Sequence, residues 1–149
     1  MPPSSRRAAL RTWALRCAAL AVLLAPAARA EVILVTSADS NVVALSREEA
    51  EQLYLGRRSS LADGGPVLLL DLPPGPVRDQ FYRLLTGKNP SQIRAYWSRM
   101  VFTGRALPPR ESASLDDARR LLLENPGTVG YLPATFSTDP SLRILLHLE

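Results

Sequence analysis

The chain has 149 residues, a formal net charge of +4 and a pI of about 9.8. Five of its 18 Lys and Arg residues lie in the first 30 positions, whereas all 14 acidic residues follow them, so residues 31–149 carry 13 basic and 14 acidic side chains and a formal charge of −1. Residues 31–149 therefore lack the overall positive charge that nucleic-acid or anionic-membrane binding needs, which argues against both functions.

The first 30 residues have the three parts of a secretory signal peptide. Four arginines precede an apolar run at positions 17–25, and Ala28 and Ala30 occupy the −3 and −1 positions of a cleavage site. The run has about half of the ~20 residues that a membrane-spanning helix needs. We therefore expect export to the periplasm, cleavage after Ala30 and no stable membrane insertion afterwards. An uncleaved N-terminal anchor is the alternative, and the choice between the general secretory and twin-arginine routes stays open.

Residues 31–149 are expected to form a single domain that is stabilised by a hydrophobic core. The only cysteine, Cys17, lies in the predicted signal peptide, so disulfides are excluded from the remainder. The apolar, β-branched run at 31–36 predicts a buried first strand. Ser46 with Glu49 predicts a capping box at the start of a helix that ends at Gly56.

The stretch from Pro66 to Phe81 predicts a strand, a loop and a helix in direct succession. An unbroken apolar run is followed by a Pro/Gly loop, after which Val77, Phe81, Leu84 and Leu85 recur with helical spacing. Such a loop directs free backbone N–H groups and the positive end of the helix dipole at whatever lies in front of it. The pattern therefore predicts a site for a small anion at this loop.

The following residues predict a helix that begins after Asn89 with Pro90 at its first position. Its apolar residues share one face and are Ile93, Tyr96, Trp97, Met100 and Val101. A core-facing helix is the favoured interpretation, and an aromatic ligand platform made by Tyr96 and Trp97 is the alternative. Pro108 and Pro109 then predict an extended passage.

Three more elements are predicted towards the C-terminus. Ser114 is expected to cap a helix with a buried stripe, and residues 128–131 and 142–148 predict two strands. Gly130 indicates a close approach of the backbone within the first of these strands. Strands and helices thus alternate, which predicts an α/β fold with a mostly parallel mixed sheet flanked by helices.

The residues predict binding rather than catalysis. His147 is the only histidine and lies in a predicted strand, no metal-ligand cluster or nucleophile elbow is present, and neither a cofactor nor enzymatic activity is expected. Candidate oxyanion ligands lie in loops or at helix ends, and they are Arg57, Arg58, Ser59, Ser60, Gly75, Arg78, Thr103 and Arg105. Arg78 opposes the helix dipole and needs a compensating partner, such as Asp71 or Asp79.

The chain resembles periplasmic solute-binding proteins of the phosphate ABC-transporter type. The resemblance rests on the order of four phrases: 45–57, 67–81, 96–104 and 126–131. It implies one lobe, the second, of a two-lobed periplasmic-binding-protein-like fold that traps an anion. It also implies phosphate or another small oxyanion as ligand and an ABC transporter as partner.

The binding loop of that family typically contains an arginine, a spacer and then Gly-Ser-Gly-Thr-Arg. The corresponding positions here are Asp71 and residues 74–78, so only the last arginine, Arg78, is kept. Gly75 and Val77 replace the two hydroxyl residues, and Pro76 removes an N–H donor. Two hypotheses follow: a phosphate- or oxyanion-type binding domain for uptake or sensing, or an interaction module with a degenerate ligand site that partners a membrane sensor or transporter.

Overall fold

A computed structural model of the protein describes residues 31–149, and the expected signal peptide lies outside these residues. The described elements, in chain order, are β1 (Val32–Ser37), α1 (Arg47–Tyr54), β2 (Leu68–Asp71), α2 (Pro76–Thr86), α3 (Pro90–Phe102), β3 (Arg110–Glu111), α4 (Leu115–Glu124), β4 (Thr128–Pro133), a 3₁₀ turn (Ala134–Phe136) and β5 (Leu142–Leu148). None of the helices described here combines the length and apolarity needed to cross a membrane.

The strands of residues 31–149 form one sheet in the order β3-β2-β4-β1-β5. Neighbours β3, β2 and β4 are parallel, whereas β1 is antiparallel to β4 on one side and to β5 on the other. Four of the five strands therefore run in one direction, which confirms the predicted α/β fold with a mostly parallel mixed sheet. All six residues of β1, which lies inside the sheet between β4 and β5, are buried, as its apolar sequence requires.

Helices cover both faces of the sheet. In β4, the ring of Tyr131 stacks on Phe81 of α2 with 3.6 Å between ring centroids. A Cβ atom on the next residue towards the N-terminus, Gly130, would meet Leu122 of α4 at 3.3 Å. Because successive strand residues face opposite sides, α2 and α4 lie on opposite faces. The close approach predicted at Gly130 is thus confirmed.

The helix ends follow the capping residues of the sequence. The Ser46 hydroxyl accepts a hydrogen bond from the Glu49 N–H at 3.2 Å, and the Glu49 carboxylate accepts one from the Ser46 N–H at 2.9 Å. Asn89 forms the equivalent capping box at the start of α3. Gly56 and Gly87 follow α1 and α2 with left-handed φ angles of 66° and 72°.

The extended passage predicted at Pro108 and Pro109 is present and continues into β3, a strand of two residues that is too short to show an alternating pattern. One sequence expectation needs correction. Val101 was expected in the buried face of α3 but is 47% exposed, because the last turn of this helix lies at the surface. Trp97 is buried and the Tyr96 hydroxyl donates to the Leu55 carbonyl at 2.6 Å, which favours the core-facing interpretation of α3.

Candidate functional site

Asp71, the last residue of β2, is the centre of a buried polar cluster next to the predicted anion loop. It is only 2% exposed. The Tyr82 hydroxyl donates to Oδ2 at 2.9 Å, the Leu72 N–H donates to Oδ1 at 3.0 Å, and the Tyr131 hydroxyl also donates to Oδ1. A carboxylate that has lost its water shell needs such donors, and here the fold supplies three of them.

The Arg78 side chain completes this cluster. Its Nη2 atom lies 3.1 Å from Asp71 Oδ2, and its Nη1 atom donates to the Leu72 carbonyl at 3.3 Å and to Glu111 Oε2 at 3.2 Å. The compensating partner expected for Arg78 is therefore Asp71, together with Glu111. We call Asp71, Arg78, Tyr82, Glu111 and Tyr131 the Asp71 cluster.

The sheet brings these residues together. Asp71 and Glu111 are partners in the parallel β2–β3 ladder, and Tyr131 lies near the carboxyl end of β4 on the other side of β2. Parallel strands end at the same edge, which is also where helix α2 begins. The Ser112 hydroxyl and N–H both donate to the Asp71 carbonyl, at 3.0 and 2.9 Å, and so connect the residue after β3 to the end of β2.

Burial and charge act in opposite directions in the Asp71 cluster. Burial raises the pKa of Asp71 above its ordinary value of 3.8, while the hydrogen bond from Tyr131 and the Arg78 charge oppose this rise. Burial and the neighbouring Asp71 charge raise the pKa values of Tyr82 and Tyr131, so both phenols stay neutral and donate their protons. For Arg78, burial lowers the pKa, but Asp71 and other neighbours raise it further and the net direction is upward.

The loop at the start of α2 retains part of an anion cradle. Gly75 is the N-cap residue, and the first intrahelical hydrogen bond runs from the Asp79 N–H to the Gly75 carbonyl at 3.0 Å. The N–H groups of Val77 and Arg78 precede that bond and are free of intrahelical partners, whereas Pro76 has none to offer. The backbone thus supplies two amides, and the nearest cation is already bound to carboxylates.

The other predicted ligand residues lie elsewhere. Arg57 and Ser59 line a separate groove that includes neither Gly75 nor Arg78. Ser60 forms an isolated β-bridge with Pro66. The Thr103 hydroxyl donates to the Arg99 carbonyl at 2.8 Å, at the end of its own helix. Arg58 and Arg105 line the same groove as Arg57, so the structure distributes the eight predicted ligand residues over several places.

Two of the three residues that sequence reasoning missed, Glu111 and Tyr131, are distant in the chain from Arg78, and the third, Tyr82, lies one turn further along the same helix. Glu111, Tyr82 and Tyr131 belong to three different elements, and no local pattern connects them. One signal was available: Asp71 is an acidic residue directly after an unbroken apolar run, where burial demands partners. Within residues 31–149 no group of His, Cys, Asp or Glu side chains could hold a metal ion.

The fold of residues 31–149 is similar to part of the fold of larger substrate-binding proteins. No protein-family model matches the chain, and no significant match was found among curated proteins. Solved structures do match. A protein of Clostridium perfringens, assigned as a phosphate ABC transporter substrate-binding protein and crystallised with phosphate, has a TM-score of 0.59 and 16% identity, covering 78% of this chain and 45% of its own.

Two further structures give the same result. A protein of Planctomyces limnophilus, assigned to phosphate binding, has a TM-score of 0.56 and 13% identity, with coverage of 78% and 41%. An ABC-type phosphate transport receptor of Vibrio cholerae has a TM-score of 0.50 and 14% identity, with coverage of 78% and 46%. The chain thus spans less than half the length of these proteins, and at such identities the similarity concerns the fold.

Proposed function

We propose that the chain is an exported, solute-binding-protein-like domain that acts as an interaction module for a membrane sensor or transporter. The observation that carries this proposal is the pairing of Arg78 with Asp71 and Glu111. The only arginine kept from the resemblance is neutralised by the chain's own carboxylates. An incoming anion at the loop therefore meets two amides and a nearby negative charge, which disfavours binding.

Oxyanion binding for uptake or sensing is the second candidate. It is supported by the fold shared with a phosphate-bound structure and by the two free amides at the start of α2. The Asp71 cluster makes it the less favoured of the two. Both candidates use the same lobe, so they differ in whether the loop at residues 75–78 holds a ligand.

Isothermal titration calorimetry of the purified exported chain with phosphate and sulfate separates the candidates. We expect no heat of binding at millimolar anion. A phosphate affinity that is lost in an Arg78→Gln variant would contradict the proposal and favour the oxyanion function. Glu111→Gln is a useful second variant, because it removes one of the two carboxylates that contact Arg78. The Glu111 side chain is half-exposed, so this change does not disturb the core.

Cross-linking in intact cells tests the interaction itself. The chain should be recovered in an adduct with a membrane protein, and recovery of the chain alone would count against an interaction module. Export is part of the same proposal. The N-terminal residue of the exported protein, determined by mass spectrometry, should be Glu31, and a chain that still begins at Met1 would contradict cleavage after Ala30.

A further inference from the structure

A second concave site lies apart from the loop at residues 75–78. Chain segments 56–59, 67–69 and 105–110 line a groove of about 500 Å³. Four cationic side chains line it, and we call it the arginine groove after them: Arg57, Arg58, Arg105 and Arg110. Leu68 and Leu107 add exposed apolar surface, at 63% and 81% exposure.

The groove arginines are not neutralised by ion pairs within residues 31–149. The ion pairs in this part of the chain use Arg78, Arg119, Arg120 and His147 as their cations. Two carboxylates, those of Glu49 and Asp117, interact electrostatically with groove arginines at longer range. The pKa of Glu49 is lowered chiefly by the N–H and hydroxyl of Ser46 and to a smaller extent by Arg58. The pKa of Asp117 is lowered chiefly by the Ala113 N–H and by Arg120, and to a smaller extent by Arg110.

The net charge of residues 80–110, which supply two of the groove arginines, contrasts with that of the whole domain. Residues 80–110 contain no acidic residue, but they include six cations: Arg83, Lys88, Arg94, Arg99, Arg105 and Arg110. Residues 31–149 as a whole have a formal charge of −1. Positive charge is therefore concentrated in one part of the sequence, and two of these cations line the groove.

Beside the groove, the first part of β2 has no hydrogen-bonded strand on one side among the described residues. The β2–β3 ladder begins at the Leu70–Arg110 pair, and β2 residues Leu68 and Leu69 pair only with β4 among the described strands. Pro109 precedes Arg110 and has no N–H with which to extend the ladder. The backbone of Leu68 and Leu69 thus lies at the groove without a partner among the described strands on that side.

We propose that the arginine groove binds an extended, acidic segment of a partner protein, with apolar side chains among its carboxylates. This inference rests on the proposed interaction function. Charge selects the acidic segment, Leu68 and Leu107 offer apolar contacts, and the open edge of β2 suits an extended backbone. A single small oxyanion fits less well, because three of the four arginines are exposed and spread along an open groove, where each contact is screened by water and salt.

Fluorescence anisotropy with a labelled synthetic peptide of alternating Glu and Leu tests the proposal. The exported chain should bind it, more weakly at high salt, and a Lys/Leu peptide of the same length should not bind. The triple variant Arg57→Gln, Arg105→Gln, Arg110→Gln should weaken binding by about tenfold. The matched control triple removes the same charge outside the groove, by Arg83→Gln, Lys88→Gln and Arg99→Gln, and should change the affinity by less than about twofold.

Three results would overturn the inference: no binding of the Glu/Leu peptide, equal weakening in both triple variants, or displacement of the peptide by inorganic phosphate at comparable concentration. The first and second deny a specific groove, and the third makes it a small-anion site. Circular dichroism spectra check that both variants remain folded.

A photo-cross-linking residue in the cell distinguishes this inference from the proposed function. Placed at Leu107, it should form an adduct with the membrane partner, whereas at Thr138, next to β5 at the opposite sheet edge, it should not. An adduct from Thr138 but not from Leu107 would overturn the groove and leave the interaction function standing. Absence of any adduct would count against the interaction function itself.

Discussion

Replacement of Asp71 by alanine should destabilise the domain more than most single substitutions. The change removes the acceptor of the Tyr82 and Tyr131 hydroxyls, both of which are buried. It also removes one of the two carboxylates that neutralise Arg78. Two buried phenols and a partly exposed cation would thus each lose a partner.

The magnitude follows from these contacts. Each buried donor left without an acceptor costs about 1–3 kcal/mol, and removing one partner of a buried ion pair costs about 3–5 kcal/mol. Arg78 keeps Glu111 and the Leu72 carbonyl, so these costs do not add fully. We expect Asp71→Ala to lower the free energy of unfolding by about 3–5 kcal/mol, a large share of the total of about 5–15 kcal/mol. Asp71→Asn should cost about 1–3 kcal/mol, because its amide presents donors to Arg78.

Urea unfolding followed by circular dichroism measures the free energy of unfolding of both variants, provided that its slope against urea concentration is unchanged. Asp39→Ala is the control, since Asp39 is exposed, and it should stay within about 0.5 kcal/mol of the parent. If Asp71→Ala were as mild as this control, the assignment of Asp71 as the centre of a structural polar cluster would be refuted.

Three more predictions concern backbone, capping and pH. Gly56 and Gly104 share a φ of 66°, but a Cβ at Gly56 would approach Ala106 Cβ to 2.8 Å, whereas one at Gly104 would meet no atom within 4 Å. Gly56→Ala should therefore lower the free energy of unfolding by about 2–4 kcal/mol and Gly104→Ala by only about 1 kcal/mol. Equal urea midpoints for the two variants would contradict this reasoning. Ser46→Ala should cost about 1 kcal/mol through loss of the capping box, and a thermal midpoint equal to the parent's would exclude that role. Burial raises the pKa of Asp71 above 3.8 in the folded chain, so its contribution to stability is fullest below 3.8 and is lost as the pH rises through the folded pKa. The stability advantage of the parent over Asp71→Asn should therefore shrink as the pH rises above 3.8, and an advantage that grows instead would show the opposite shift.

Local sequence patterns predicted the helix ends and most of the strands, because these features depend on residues that are neighbours in the chain. Ser46, Asn89 and Ser114 each lie at a helix start, and Gly56 and Gly87 follow helix ends, as their chemistry dictates. β3 could not be predicted in this way, since two residues carry no period. The antiparallel placement of β1 between β4 and β5 depends on partners far along the chain and leaves no local signal either.

The site was less predictable than the fold. The loop at residues 75–78 lies where the pattern placed it, at the start of α2. The state of Arg78 could not be derived, because Glu111 is 33 positions away and becomes its partner only through the β2–β3 ladder. The grouping of Arg57 with Arg110 likewise depends on which loops the sheet brings together.

The placement of β1 has a consequence for how the chain folds. Its partners, from Val129 in β4 to Leu148 in β5, come roughly a hundred residues later, so the sheet closes through contacts of high sequence separation. Closing so long a loop is entropically costly, and such topologies fold slowly, in about milliseconds to seconds. During synthesis β1 stays unpaired until residues 128–148 have emerged. In the proposed export, the complete sheet could not form ahead of translocation for as long as the last two strands are withheld.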